Sequence, residues 1–262
     1  MSLARKAYSF NSNNNNKTAN TYFMDFPTPL ISGTLIKRYK RFLTDVTLDS
    51  GEMVTAHCAN PGAMLGIKDE GLKVWLSTSD NPKRKLKYSW EIVEAKNAEN
   101  NVGETMVGMN TSHPNKIIEE AIANDLIDPL KGYDTMRREV KYGTNSRIDI
   151  LLTDADKSDC YVEVKNVHLA RKKSHAEFPD SVTARGAKHM MELKNEVEKG
   201  NRAVMVYLVQ REDVSTFSIA GDIDPKYQDA FKLGMDNGVE AYAYSCKVSP
   251  LSINLHKQLK II

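Results

Sequence analysis

Residues 203–209 read Ala-Val-Met-Val-Tyr-Leu-Val, a continuous apolar run that constrains the fold more than any other segment of the chain. A strand apolar at every position has no face to give to water, so it belongs inside a sheet covered on both sides, as in α/β sandwiches. The run is too short to cross a membrane, which takes about 18 apolar residues, and no longer clear run exists. A helix predicted over 182–199 ends at Gly200, a natural C-cap, and leads into the strand. A second helix over 225–236, closed by Asn237-Gly238, and strands over 239–248 and 251–255 follow. Upstream, a helix over 115–127 with Ile118, Ala121, Ile122 and Leu126 on one face precedes strands over 136–142, 147–152 and 160–167. The order α-β-β-β-α-β with later additions is the plan of an α/β layer domain.

The N-terminal half has a different texture. Residues 26–110 are rich in Val, Ile, Thr, Tyr and Trp, in strands expected over 30–48, 53–58, 73–77, 86–96 and 104–110. Turn signals separate them at Asp49-Ser50-Gly51, Asn60-Pro61-Gly62, Asp69-Glu70-Gly71 and Asp80-Asn81-Pro82. Such a succession of strands and short turns fits a small β-barrel, with an OB-like barrel first. Residues 1–25 hold the tract Asn13 to Asn16 and no apolar periodicity, which predicts a disordered tail with no secretory h-region. The expected organisation is thus α+β in two domains: a tail over 1–25, an OB-like barrel over 26–110 and an α/β domain over 111–262. Cys58, Cys160 and Cys246 lie too far apart for a zinc knuckle or disulfide framework, so each is expected as a core residue of a cytoplasmic protein.

One pair of strands carries chemistry. If Asp149 is set opposite Glu163, the hairpin is centred on residue 156, inside the polar segment 153–159. Ile148 then faces Val164, Ile150 faces Val162 and Leu152 faces Cys160, one apolar face, while Asp149, Glu163 and Lys165 share the other. Two adjacent carboxylates offer hard oxygen ligands to Mg2+ or Mn2+, and Lys165 is placed to position water or meet developing phosphorane charge. The same pattern also arises in ordinary hairpins as an exposed ion pair worth roughly 0–1 kcal/mol.

The order of elements around Asp149, Glu163 and Lys165 resembles the core of the PD-(D/E)-x-K nucleases, with Ile148 in place of the proline that sometimes precedes the aspartate. A closer resemblance lies in Phe26-Pro-Thr-Pro-Leu-Ile-Ser-Gly-Thr-Leu-Ile-Lys-Arg-Tyr-Lys-Arg-Phe42, His57-Cys-Ala-Asn-Pro-Gly-Ala-Met64, Ser79-Asp-Asn-Pro-Lys-Arg-Lys-Leu86, Glu139-Val-Lys-Tyr-Gly143, Ser146-Arg-Ile-Asp149, Glu163-Val-Lys-Asn-Val167, Phe178-Pro-Asp180 and Arg185-Gly-Ala-Lys-His189. Together these segments resemble the sugar fermentation stimulation protein family. The resemblance implies an OB-like domain, a PD-(D/E)-x-K nuclease-like domain, DNA binding and a link to sugar, notably maltose, metabolism. The resemblance to the PD-(D/E)-x-K nucleases also suggests a third carboxylate from the first helix, Glu120 or Glu119, at the metal site, although Glu120 lies opposite the Ile118 and Ile122 face.

The partner is read from charge. The net charge is only +2, but Lys37-Arg38-Tyr39-Lys40-Arg41 and Lys83-Arg84-Lys85-Leu86-Lys87 are cationic runs without an acid. Either run alone also reads as a solvated edge. Together they make Lys37, Arg38, Tyr39, Lys40, Arg41, Lys83, Arg84 and Lys85 candidates for DNA contact, with Tyr39 available for stacking. Arg147 is a further phosphate candidate, and Arg185, Lys188 and His189, near the start of the helix over 182–199, are candidates to face the metal site or a DNA phosphate, a polar helix surface being the other reading. His57 and Cys58 read as packed residues, and Trp75 and Trp90 as barrel core ahead of base stacking. The expected partner is DNA, single- or double-stranded, with room for a homo-oligomer and no membrane; the same barrel and basic runs would serve an RNA-binding module. The functional expectation is a Mg2+- or Mn2+-dependent nuclease, and the alternative a non-catalytic DNA-binding regulator that keeps the fold.

Overall fold

The computed structural model describes residues 8–9, 24–99 and 103–262. Most of the Asn-rich segment expected as a tail therefore lies outside the described residues. Within it, Tyr8 and Ser9 pair with Met136 and Thr135. Met24 and Asp25 pair with Ile253 and Ser252, near the far end of the chain.

Five strands close a barrel: β1 (Ile31–Tyr39), β2 (Leu43–Leu48), β3 (Met53–Cys58), β4 (Lys73–Thr78) and β5 (Tyr88–Lys96). Strand β1 pairs with both β2 and β4, β2 with β3, and β4 with β5, all antiparallel; parallel pairing of β3 with β5 completes the ring. This is the OB-like Greek-key barrel. Strand β6 (Glu104–Gly108) extends it beside β5. Alternation fills the interior with Leu35, Val46, Val54, Val74, Leu76, Trp90 and Val93. The long strand expected over 30–48 is in fact two, joined by a turn at residues 40–42 in which Lys40 and Arg41 take φ of 45° and 64°. No glycine, asparagine or proline marks this turn, which is why the sequence reads through it.

The second domain begins with α1 (Pro114–Ala123) and β7 (Thr135–Tyr142), β8 (Ser146–Thr153) and β9 (Cys160–Val167). A short hairpin, β10 (Leu169–Lys172) and β11 (His175–Phe178), leads to α2 (Ala184–Glu198) and β12 (Arg202–Val209). Then come β13 (Thr216–Ile219), α3 (Pro225–Asp236), β14 (Glu240–Val248) and β15 (Ser252–Ile261). One sheet runs β7-β8-β9-β12-β14-β15-β13-β11-β10, with β9, β12 and β14 mutually parallel. The expected two-sided burial of the apolar run is observed in β12. Val204, Val206 and Leu208 enter a core with Ile117, Ile118 and Ile122 of α1. Ala203, Met205, Tyr207 and Val209 enter a second core with Met190 and Leu193 of α2 and Tyr227 of α3. Side chains of successive residues point to opposite faces, so one strand nucleates two cores. Thr183 caps α2 by accepting the Gly186 N–H at 3.1 Å. Strands β10, β11 and β13 were not expected; each has four residues and no clear alternation.

The β8–β9 register is the expected one, with Ile150 opposite Val162 and Leu152 opposite Cys160. The expected single apolar face is not. Ile150 and Leu152 lie in the α1 core, whereas Ile148 joins Leu151 in the α2 core. The facing changes at Asp149, where Glu139 on the neighbouring strand takes φ of 53° and Asp149 Oδ2 accepts the Val164 N–H at 2.8 Å.

Polar side chains fasten the two domains. Asp180 Oδ2 accepts the Met64 N–H of the barrel at 2.7 Å and lies 3.3 Å from His168 Nε2. Only glycine fits beside it, because a Cβ on Gly62 would come within 2.7 Å of both Asp180 oxygens. Arg211 and Asp213 form a buried ion pair, with Arg211 donating to the Lys96 carbonyl at 3.2 Å and Asp213 accepting the Ala98 N–H. Glu91 collects hydrogen bonds from Ser77, Asn110 and His113 where β5 meets the start of α1.

Burial works to raise the Asp180 pKa, but the hydrogen bond and charge of His168, with the Met64 N–H, outweigh it and pull the carboxyl down to about 2. A depressed carboxyl stabilises the fold above its unfolded pKa, and that contribution, at most about 2 kcal/mol, is lost as the pH falls from about 4 towards 2. Urea denaturation of wild type and Asp180→Asn at pH 6 and pH 3 should therefore show a gap that narrows at the lower pH. An unchanged gap would mean that Asp180 acts through its shape and not its charge.

Candidate functional site

Asp149 reaches its place because β8 turns over there, so that its carboxylate meets α1 with one oxygen and the backbone of β9 with the other. Oδ1 accepts from Asn115 Nδ2 of α1 at 2.8 Å and Oδ2 from the backbone of Val164. Glu163, on the neighbouring strand, faces α2 and is only 2% exposed. Its Oε1 accepts from Lys165 Nζ at 2.6 Å and from His189 Nδ1. Its Oε2 is buried and has no partner. A buried carboxylate oxygen left without a donor is costly, and both donors gather on the other oxygen.

The charges are coupled. Burial, and after it the charge of Glu163, pushes the Asp149 pKa up to about 6, against the pull of the Val164 N–H, Lys165 and Asn115. Burial also works to raise Glu163, but the Lys165 charge and the His189 hydrogen bond prevail and hold it below the usual range. Two carboxylates therefore share a site with one lysine, and a cation is what such a pair lacks. The donor set suits a hard divalent ion, which accepts a few carboxylate oxygens and keeps water for the rest of its shell. Among the described residues no group of three His, Cys, Asp or Glu side chains converges into a complete cage. The protein would thus supply only part of the coordination.

The His189 proton can be assigned from its neighbours. Arg185 Nε can only donate, and it lies 3.3 Å from His189 Nε2. Nε2 therefore accepts, the proton sits on Nδ1, and Nδ1–H donates to Glu163. Asn115 and His189 complete the shell of the two carboxylates. His189 lay on the helix face read as facing the site; Asn115 gave no signal, being an uncharged amide beside a proline.

Glu120 is not brought to this site. It pairs with Lys116 at 3.6 Å along α1, because five residues on from Asn115 the helix has turned by about 140°. Glu119 lies nearer the Asn115 side but is held by Arg138 at 3.0 Å.

The two basic runs fall on the β1–β2 turn and the β4–β5 loop, the two loops that OB folds use for oligonucleotides. Lys40, Arg41, Lys83, Arg84 and Lys85 are exposed there. Arg38 is partly committed to structure, donating to the carbonyls of Arg41 and Asn60 at 2.9 and 2.8 Å. Tyr39 is tied through its hydroxyl to Asp45 at 3.0 Å, and Lys37 lies 5.4 Å from its ring centre, so the ring is already covered. Arg147 donates to the Glu139 carbonyl and Lys188 to that of Thr144, both around the turn between β7 and β8. Trp90 is barrel core, whereas Trp75 is half-buried and bonds Glu94. His57 stacks on Phe42, and Cys58, Cys160 and Cys246 are free and buried. No described helix is long and apolar enough to cross a membrane.

Two family models match the chain: the SfsA N-terminal OB domain over residues 36–104 and the sugar fermentation stimulation protein RE domain over residues 112–252. Sugar fermentation stimulation protein homologues from Maricaulis maris and Rhodospirillum centenum are 54% and 56% identical over 238 residues, covering 91% of this chain and 98% and 99% of theirs. The structure of Pyrococcus furiosus SfsA in complex with Ca2+ superposes with a TM-score of 0.79 at 24% identity, over 92% of this chain and 98% of that one.

If His189 serves to turn Glu163 so that Oε2 stays free, its loss weakens cation binding without unfolding the domain. Calorimetric titration of Mn2+ should show affinity about 10-fold lower for His189→Ala, and recovered in His189→Asn, whose amide can donate from the Nδ1 position. Equal affinity in all three proteins would reduce His189 to packing.

Proposed function

The chain belongs to the sugar fermentation stimulation protein family, and from the carboxylate–lysine site it carries we propose that it is a DNA-binding protein that hydrolyses phosphodiester bonds with a bound Mg2+ or Mn2+. The observation that carries this reading is Glu163 Oε2, buried and unpartnered beside a second carboxylate. A protein that only binds a polyanion gains nothing from burying two acids side by side. Ca2+ in the Pyrococcus furiosus structure supports an oxygen-ligand divalent site in this fold. Free buried cysteines suit a cytoplasmic setting. The link to sugar metabolism rests on the family's name, and no residue of the site speaks to it.

Asp149 and Glu163 would hold the ion, which when bound polarises a phosphoryl oxygen and acidifies a bound water. Asn115 and the Val164 N–H fix the Asp149 carboxylate, so that both acids are oriented before substrate arrives. Lys165 sits on the same face two residues from Glu163, and its ammonium can donate to the attacking water or to a phosphate oxygen as charge builds. The exposed cations of the two barrel loops supply the backbone attraction, which falls with salt.

Incubation of the purified chain with single-stranded, duplex and flapped DNA in Mg2+, Mn2+ or EDTA tests the reading. Cleavage is expected with metal and not with EDTA. Lys165→Ala should cut at least about 10²-fold more slowly while binding DNA within a few-fold of wild type. Asp149→Asn should behave likewise. A wild type that binds DNA and cuts none of these substrates would leave the binding regulator as the function; cleavage that survives Lys165→Ala would assign the activity elsewhere. The basic loops have their own test: replacing Lys40, Lys83 and Lys85 with Ala should flatten the slope of log K against log salt by about one unit for each phosphate no longer neutralised.

A further inference from the structure

A cleft of about 760 Å3 lies between the barrel and the α/β domain, and the site above leaves it unexplained. Arg38 and Arg41 of the β1–β2 hairpin form one wall; Asn166 and His168, at the C-terminal end of β9, lie across from them with residues 181–183 at the start of α2. This position, beyond the carboxyl ends of parallel strands, is where α/β sheets receive ligands. Asn166 follows Lys165 on β9 and points to the other face of the sheet; past the end of the strand, Phe178, which packs on the α2 core, and residues 181–183, which lead into α2, bring the cleft round to the lysine's side.

The walls are chemically mixed. Arg38 Nε is buried without a partner, and so is Nδ1 of His168, whose side chain is 5% exposed. Arg41 is exposed at the rim. Asp180, the one acid among the described residues of the lining, is turned inward to the Met64 N–H, His168 and Ser181. Phe178 and Val182 add apolar surface, Val182 being 72% exposed. Cationic donors beside apolar surface are what a nucleotide needs, phosphate on one side and base on the other. The volume falls in the range of small-ligand pockets, about 300–1,000 Å3, which admits one or two nucleotides and no duplex.

Resting on the DNA reading above, we propose that the cleft takes an unpaired stretch of a DNA strand and delivers it towards Lys165, so that the preferred substrates are single strands, frayed ends or flaps and not continuous duplex. The barrel hairpin then guides the strand as well as attracting it, since Arg38 and Arg41 close the cleft from above.

The test uses the full chain in EDTA, so that DNA stays intact, and labelled oligonucleotides of about 12 nucleotides, a length within the reach of one OB fold. Fluorescence anisotropy should show the single strand bound at least about 10-fold more tightly than a blunt duplex of the same sequence. Arg41→Glu should weaken both forms through the lost loop charge, and the single strand at least about 10-fold more than the duplex. Because every native cysteine is buried, Val182→Cys introduces one exposed thiol. It should crosslink to a thiol-tethered base in a single strand and not to the same base at the centre of a duplex. The thermal melt of each variant guards against misfolding. Equal affinity for the two DNA forms, equal loss of both in Arg41→Glu, equal crosslinking, or tighter binding of RNA of the same sequence would overturn the proposal. Failure to bind any DNA would instead overturn the functional reading beneath it.

Discussion

A strand with apolar side chains on both faces must be covered on both faces, and the architecture of the larger domain follows from meeting that demand at β12. Its even positions call for α1 and its odd positions for α2 and α3. Strand β9 lies parallel beside it and inherits the same two-sided surroundings, so Val162 and Val164 face α1 while Glu163 faces α2. An acid placed there cannot be solvated by bulk water. It must be answered by the protein, and Lys165 and His189 are that answer. The same burial that builds the sheet therefore makes the carboxylate site, and its cost falls on one oxygen left without a donor.

What was legible in the sequence was what short-range patterning encodes. The apolar run at 203–209 specified a buried strand, and the symmetry of the hairpin about residue 156 specified its register because a slip by one residue would have exchanged the faces taken by Val162 and Glu163. What escaped was set by features that patterning does not carry. The β1–β2 turn is built from arginine and lysine at positive φ, and the four-residue strands β10, β11 and β13 are held by their neighbours more than by their own alternation. The change of facing at Asp149 depends on Glu139, ten residues earlier on another strand. In the site, the acid pair and lysine were readable as a motif, whereas Asn115 was not, since an amide at a helix start has many ordinary uses. Glu120 was suggested by resemblance, and the helical phase that places Asn115 against Asp149 carries it away.

The junction between domains uses partners very distant in sequence: Asp180 with Met64, Asp213 with Ala98, Gln210 with Gly108. These contacts are polar and directional, and several involve backbone groups, so they specify one orientation where an apolar interface would tolerate sliding. That orientation brings the basic hairpin of the barrel over the end of β9. The loops that would attract a polyanion and the acids that would act on it are thus aligned by hydrogen bonds belonging to neither.

The short pairing of Met24 and Asp25 with β15 has a topological consequence. The chain is stitched into the large sheet before it enters the barrel, and on leaving the barrel it goes directly into α1, which packs on that sheet. The barrel is accordingly an insertion anchored at both of its ends, not a pendant module on a single linker. A domain hung from one strand can swivel about it; one held by two is confined to rocking about the line that joins them. Any opening of the space between the domains is thereby reduced from a general rotation to a hinge with one axis, and trimming the chain past residue 25 would remove the second anchor and restore the lost freedom.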